Sequence, residues 1–501
     1  MLLNKIFQDG CVLQRRKKVP IWGEAKSGRK ITLCFGGQIK TADSENGKWR
    51  IELDPMEVMR NEVLTVSDGE ETIEIKDVSV GEVWLAGGQS NMELWLHYDK
   101  ELWKAQSDNL EKLDIRFYDC AKVSYEEAYD DWDYSKFEVW RECTKEDIEY
   151  FSAVGFWFAK NIYEHLEIPI GIIGCNYGGS NACCWIDEET ASKHGQVWLE
   201  SYAQAVKDLD VDSYVHEFRT NPFNAVHADP LNEINEMLIW ADDREAIENY
   251  FRNATIPPMG PLDAWRPCGL YKTMLKQIVP YAVAGILWYQ GESDDVHAEL
   301  YKDITKDLIE LWRKNWGEEL PFLVVQLAPF DHMPGGMTGE KYPVIRASQH
   351  EISKTVNKTW LVSTSDCGEK FDIHSKNKRP VGERLALQAL HHIYNVDLLS
   401  DAPECIDACC ENRELTILFS NVGDGLKMKG KDLSWIVITQ GDTALTSILK
   451  RVETDRIVLD IPDAEKNKEI QIKIAQSAYY NVNLYNSAGI PVIPSAAVAK
   501  P

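Results

Sequence analysis

The 501-residue chain lacks the basic stripe that a phosphate backbone requires. Its longest Lys/Arg run is Arg15-Arg16-Lys17-Lys18, and 54 basic against 80 acidic side chains leave a formal charge of −26. Nucleic acid is therefore excluded as a partner, and an anionic membrane surface is disfavoured on the same ground. No segment approaches the ~18 consecutive apolar residues of a spanning helix. The opening MLLNKIFQDGCVLQRRKK also lacks the basic, apolar and small-residue order of a secretory leader, because Asn4, Lys5, Gln8 and Asp9 interrupt it. Cysteine is sparse, 12 in all, and the tightest group, Cys405, Cys409 and Cys410, has neither a C-x-x-C partner nor a nearby His. A disulfide framework and a zinc site are both unexpected. His350-Glu351 lacks the second His of a zinc-peptidase helix. The expectation is a cytoplasmic protein with reduced thiols that needs no metal and no cofactor. Its oligomeric state is left open, a dimer included.

What is present is an ordinary folding composition, 44% apolar and 27% charged. At roughly 150 residues per domain the length predicts about three domains. Residues 1–80 read as short strands between turn residues (KVPIWGEA, KITLCFGG, KWRIELD, EVLTVSD, ETIEIKDVSV), the pattern of a small β-sandwich. From Glu82 apolar runs alternate with helical stretches: EVWLAGG, PIGIIGC, AVAGILWYQ, PFLVVQL and TWLVSTS. That alternation predicts an α/β domain over 81–399, a doubly wound parallel sheet of five strands with its chemistry at the carboxyl ends. A stretch of about 186–265 is too long for a crossover and is expected to be a helical insertion. Strand patterns return over 400–501 (ELTILFS, SWIVITQ, RIVLDIP, EIQIKIAQ), a second β domain.

Four turns at strand ends carry polar groups suited to catalysis. Gly87-Gly88-Gln89-Ser90-Asn91-Met92 follows the first strand, where glycines permit a sharp turn and a serine meets the free N–H groups of a helix start. It is not the Gly-x-Ser-x-Gly elbow, since Met92 replaces the second glycine. Ser90 reads either as a nucleophile or as a helix N-cap. After the fifth strand come Asp372 and His374, two apart and so able to point to one side, with Asp366 as the competing carboxylate. Tyr177-Gly178-Gly179-Ser180-Asn181 and Trp288-Tyr289-Gln290-Gly291-Glu292 follow the second and third strands. Gly179 and Gln290 are the candidate donors to an oxyanion.

These segments resemble a known family. GEVWLAGGQSNM, YGGSNACCW, WYQGESD and DIHSKNKRPVGERLA are similar to the ordered blocks of the SGNH (GDSL-type) hydrolases, specifically their sialate O-acetylesterase-like branch, and the likeness runs over nearly the whole chain. The resemblance implies a metal-free serine esterase with strand order 2-1-3-4-5, acting on an acetylated sugar or oligosaccharide. It implies Ser90 as nucleophile, His374 as general base and Asp372 as its orienting acid. The oxyanion donors would be the Ser90 and Gly179 N–H groups and the Gln290 amide. Glu292, Arg346 and Gln349 are candidate substrate contacts, with a structural salt bridge or cap as the other reading of Arg346 and Gln349. Ser180, where the branch commonly has Thr, and Lys272, where Asn is expected, are departures that point to the acyl or sugar pocket. The 17 Trp and 20 Tyr include an acid-rich aromatic stretch from Tyr125 to Trp140 that could border the cleft. Two alternatives stand beside the sialate reading: an esterase of xylan- or mannan-derived oligosaccharides, and a non-catalytic carbohydrate-binding protein.

Overall fold

The computed structural model describes the chain apart from residues 108–109, 222–228, 241–244, 246–248, 250–257, 334–335, 467 and 501. The chain forms two compact units, Met1–Gln290 with Asp303–Phe322, and Gly291–Lys302 with Leu323–Pro501.

In the first unit, Leu2–Leu3, Val19–Glu24 and Lys48–Leu53 form one small sheet, and Gln38–Asp43, Lys30–Phe35 and Met59–Ser67 lead into another. Burial alternates along Lys48–Leu53, so Trp49, Ile51 and Leu53 face inward while their neighbours face water. All five strands expected before residue 80 are present. The boundary expected at 80 falls inside an unbroken strand, Thr72–Gly88. Its first half pairs antiparallel with Met59–Ser67, and its second half lies between Ile170–Asn176 and Gly285–Tyr289, parallel to both. Burial along it changes from alternating to continuous near Val78, as a strand covered on both faces demands.

The order Ile170–Asn176, Thr72–Gly88, Gly285–Tyr289 matches the 2-1-3 part of the expected topology. The sheet is mixed, however, and not purely parallel. Beyond Ile170–Asn176 lie Ile115–Asp119, parallel to it, and Trp140–Glu142, antiparallel. Arg116 and Asp119 interrupt the apolar run of Ile115–Asp119. Both are buried, and Arg116 is paid for by the carbonyls of Gly10 and Asp77. The insertion is helical where described, with Glu188–His194, Gln196–Val206, Val211–Thr220 and Glu233–Trp240. Asp187 and Asp210 cap two of these helices. Residues 222–228, 241–244, 246–248 and 250–257 of the expected insertion lie outside the described residues.

In the second unit the strands Phe322–Val325 and Thr359–Val362 run with the helices Tyr342–Thr355 and Arg379–His392. Two four-stranded sheets follow, built on Glu404–Glu411, Glu414–Ser420, Arg456–Asp460 and Ile448–Val452, and on Thr443–Ala444, Ile436–Gln440, Ile470–Ile474 and Ser495–Ala499. Leu415, Ile417, Ile438, Leu459 and Ile472 are fully or almost fully buried in their shared core. The boundary expected at 399 does not separate two compact bodies.

Candidate active site

Gly88 makes the first turn possible. Its φ is +137°, and a Cβ there would lie 2.0 Å from the Tyr289 carbonyl oxygen, so only glycine lets the two strand ends approach. Gln89 then donates its N–H to Tyr289 O at 3.1 Å and takes the cap position of the helix Ser90–Glu93. The carbonyl of Gln89 accepts from Met92 and Glu93 at 2.8 and 3.0 Å. Ser90 is therefore the first helical residue and not the N-cap, and it is partly exposed among buried neighbours. The far end of this short helix is held by Ser152, whose hydroxyl donates to Met92 O at 2.7 Å and accepts from Gly155 N–H at 3.1 Å.

Asn176, Gly88 and Tyr289 stand side by side on three adjacent strands, so the next turn emerges beside Ser90. Tyr177 donates its N–H to Gly88 O at 3.1 Å. A Cβ on Gly178 would sit 3.6 Å from Ser90 Cβ, and one on Gly179, where φ is +73°, would strike the Trp265 indole nitrogen at 2.8 Å. That nitrogen donates to Gly178 O at 2.9 Å. Ser180 is fully buried, its hydroxyl donating to Tyr177 O and accepting from the Trp185 indole. Ser180 shapes the turn, and Lys272 forms an exposed pair with Glu188 at 2.6 Å.

Gln290 is brought to the same place. Its amide nitrogen, fully buried, donates to Gln89 Oε1 and to Ser180 O, each at 3.2 Å. It braces the nucleophile turn against the glycine turn.

In the second unit, Asp372 Oδ1 accepts the His374 main-chain N–H at 2.8 Å. Lys376 bridges Asp372 Oδ2 and His374 O at 2.6 and 2.7 Å. The Asp372–Lys376 turn is thereby held at the His374 main chain, and His374 is half-buried. Burial pulls His374 down to about 4; Lys376 adds to this and Asp372 opposes it. Asp366 has a different employment, a two-pronged pair with Arg384 at 2.7 and 2.9 Å. Burial would raise its carboxyl, but the Arg384 charge and hydrogen bonds hold it below the ordinary value.

Arg346 and Gln349 are corrected as substrate contacts. Arg346 is 0% exposed and donates to the carbonyls of Leu327, Ala328, Ser477 and Ala478. Gln349, equally buried, accepts the Leu327 N–H at 2.9 Å and donates to Val325 O at 3.3 Å. Glu292 is buried at the start of the 3-10 segment Glu292–Leu300. The aromatic stretch lines a cavity of about 480 Å³ through Tyr125, Glu126, Tyr129 and Glu138, opposite Leu2–Lys5; Ser90 and Gly179 are not among its walls.

One group escaped sequence reasoning. Behind the glycine turn, Lys122, 1% exposed, donates to Asp119 Oδ1 at 2.9 Å and to the carbonyl and side-chain oxygens of Asn176 at 3.0 and 2.8 Å. Glu93, 8% exposed, packs its carboxylate against Gly178, where a Cβ would lie 3.1 Å from Oε2. Asp119 and Lys122 flank the end of a strand that was not expected, and Glu93 is three residues past the serine; neither stands in a spacing that announces a cluster. Among the described residues no group of three His, Cys, Asp or Glu side chains is arranged to hold a metal ion, and no helix is long and apolar enough to cross a membrane.

A family described as carbohydrate esterase, sialic acid-specific acetylesterase, matches residues 260–391, which include Gln290, Asp372 and His374. The chain is 25% identical over 438 residues to a sialate O-acetylesterase of Mus musculus, covering 80% of this chain and 75% of that protein. It is 23% identical over 453 residues to one of Homo sapiens, covering 82% and 75%. The crystal structure of a carbohydrate acetylesterase from Xanthomonas citri is similar over 99% of both chains, with a TM-score of 0.75 and 25% identity.

Proposed function

The chain belongs to the sialate O-acetylesterase-like family of carbohydrate esterases, and on that premise we propose that it removes O-acetyl groups from sugars through an acetyl-serine intermediate on Ser90. The observation that carries this reading is the placing of Ser90 at the first helical position, beside the Gly178-Gly179 turn of the neighbouring strand. A serine there is in reach of main-chain N–H groups that can receive an oxyanion.

In the proposed reaction His374 takes the Ser90 proton as Oγ attacks the acetyl carbonyl carbon. Asp372 fixes the loop that carries His374. Charge on the tetrahedral oxygen is received by the N–H groups of Ser90 and Gly179 and by the Gln290 amide. Collapse breaks the bond to the sugar oxygen, which leaves with the proton from His374, and water repeats the sequence on the acetyl-enzyme to release acetate. An imidazole held near 4 is neutral, and so able to accept a proton, over the whole neutral range. The doubly wound five-strand order and a cytoplasmic location with reduced thiols belong to the same reading.

Neither the plant-polysaccharide reading nor the non-catalytic one is favoured by an observation here. Acetate release from O-acetylated sialic acid, measured beside release from acetylated xylo- and manno-oligosaccharides, tests the substrate. Faster turnover of the xylo- or manno-substrates would overturn the sialate assignment. Labelling of Ser90 by a fluorophosphonate tests the catalytic class, and an unlabelled, folded protein would favour a binding module.

A further inference from the structure

Ser90 and Glu93 are three apart on one helical turn and so face the same way. Both meet Gly178: a Cβ there would lie 3.6 Å from Ser90 Cβ and 3.1 Å from Glu93 Oε2. The Gly178 main chain lies against the Glu93 carboxylate, whose charged form its N–H favours, and the Gly178 carbonyl accepts from the Trp265 indole at 2.9 Å. Because a trans peptide points its C=O and the following N–H in opposite directions, fixing Gly178 O on Trp265 aims the Gly179 N–H away from the indole. The aim of that N–H therefore depends on two tethers, one of them a buried carboxylate on the nucleophile's own helix.

We propose that Glu93 is a positioning residue whose carboxylate ties the Gly178-Gly179 turn to the Ser90 helix and so sets the distance between nucleophile and oxyanion donor. The proposal rests on the serine-esterase reading above. The surroundings of Glu93 make the tether sensitive to protonation. Lys122 is shared with Asp119, on which the Arg141 charge also acts, while Asn176, bound to Lys122, also donates to Ala86 O at 3.1 Å in the nucleophile strand. Burial raises Glu93 to about 7; Lys122 and the Gly178 N–H oppose this, and Asp119 adds to it. Asp119 is itself raised, by burial first, and Lys122 keeps its proton. The Tyr177 phenol facing Glu93 is raised by burial and stays neutral. Asp263, which accepts the Trp265 N–H at 2.7 Å on the other side of the turn, is raised to about 6 by burial.

With Glu93 ionised the N–H acceptor is a full carboxylate; once protonated it is a weaker neutral acceptor. Turnover is therefore expected to rise with pH through about 7, separately from the His374 step at about 4. The test measures kcat and KM for 4-nitrophenyl acetate against pH in wild type, Glu93→Gln, Glu93→Asp and Ser90→Ala, with melting curves for each. Glu93→Gln should lower kcat roughly 10- to 100-fold, less than the full loss of an oxyanion donor, leave KM within about twofold, and abolish the upper step while keeping the lower one. Glu93→Asp should retain a displaced upper step. An upper step that persists in Glu93→Gln overturns the proposal, as does a wild-type kcat that is flat across pH 6 to 8, a result that needs no variant to fold. If Ser90→Ala is inactive and the Glu93→Gln profile is unchanged, only this proposal fails; if Ser90→Ala keeps its rate, the serine reading itself fails.

Discussion

Arg384 grips Asp366 through two hydrogen bonds, Nη1 to Oδ1 at 2.7 Å and Nη2 to Oδ2 at 2.9 Å. The guanidinium is almost completely enclosed, and Nη1 also donates to Ser363 O. Asp366 thus has a structural partner, whereas Asp372 holds the His374 turn. Asp366→Asn is expected to lower stability by about 3 kcal/mol, because it leaves a buried cation without its counter-charge. Asp372→Asn is expected to lower kcat with a smaller change in melting temperature. Unfolding curves and steady-state kinetics on both variants check this, and a larger kcat loss from Asp366→Asn would reverse the assignment.

Arg346 gives a second contrast. A residue whose guanidinium is spent on four main-chain carbonyls contributes to folding and not to substrate affinity. Arg346→Met should leave those buried acceptors short of donors and cost about 3 kcal/mol or more, with KM for an acetylated sialic acid unchanged in the folded fraction. A tenfold rise in KM without loss of stability would return Arg346 to the substrate.

The low basicity of His374 is set by burial and then by Lys376. The base must be neutral to act, so kcat/KM is expected to fall as pH drops through about 4. Lys376→Met removes a nearby positive charge and should move that limb to higher pH. A limb that stays in place would show that Lys376 does not act on the imidazole.

Gly88→Ala should be severe. The new Cβ would meet Tyr289 O at 2.0 Å in a backbone conformation with φ +137°, a combination worth on the order of 3 kcal/mol. Gly87→Ala meets only the side chains of Trp288 and Trp312 at 3.2 Å and should cost about 1 kcal/mol. Urea unfolding of the two variants measures the difference, and equal costs would contradict the close approach of these strand ends.

The special turns were legible because each announces itself locally: glycines at the end of an apolar run, followed by Ser90, Gly179 or Gln290. The strands before residue 80 and after 400 were legible for a similar reason, their period of two. What stayed hidden depends on partners far along the chain. Strand Ile115–Asp119 carries Arg116 and Asp119, which look like loop residues until Gly10, Asp77 and Lys122 satisfy them. Glu93 reads as a helix-terminal acid until Gly178 is folded against it. The acceptors of the Gln290 amide, Gln89 Oε1 and Ser180 O, are distant in sequence and invisible to spacing. The continuity of Thr72–Gly88 was hidden because its burial changes midway, which in sequence looks like two strands.

The most direct measurement of the central claim is hydrolysis of 4-nitrophenyl acetate and of O-acetylated sialic acid by Ser90→Ala, with wild-type melting behaviour as the control for folding. The serine-esterase account predicts that release of nitrophenol and acetate falls to the uncatalysed background while the melting curve is retained. A folded Ser90→Ala protein that hydrolyses either ester at a rate near wild type would contradict it.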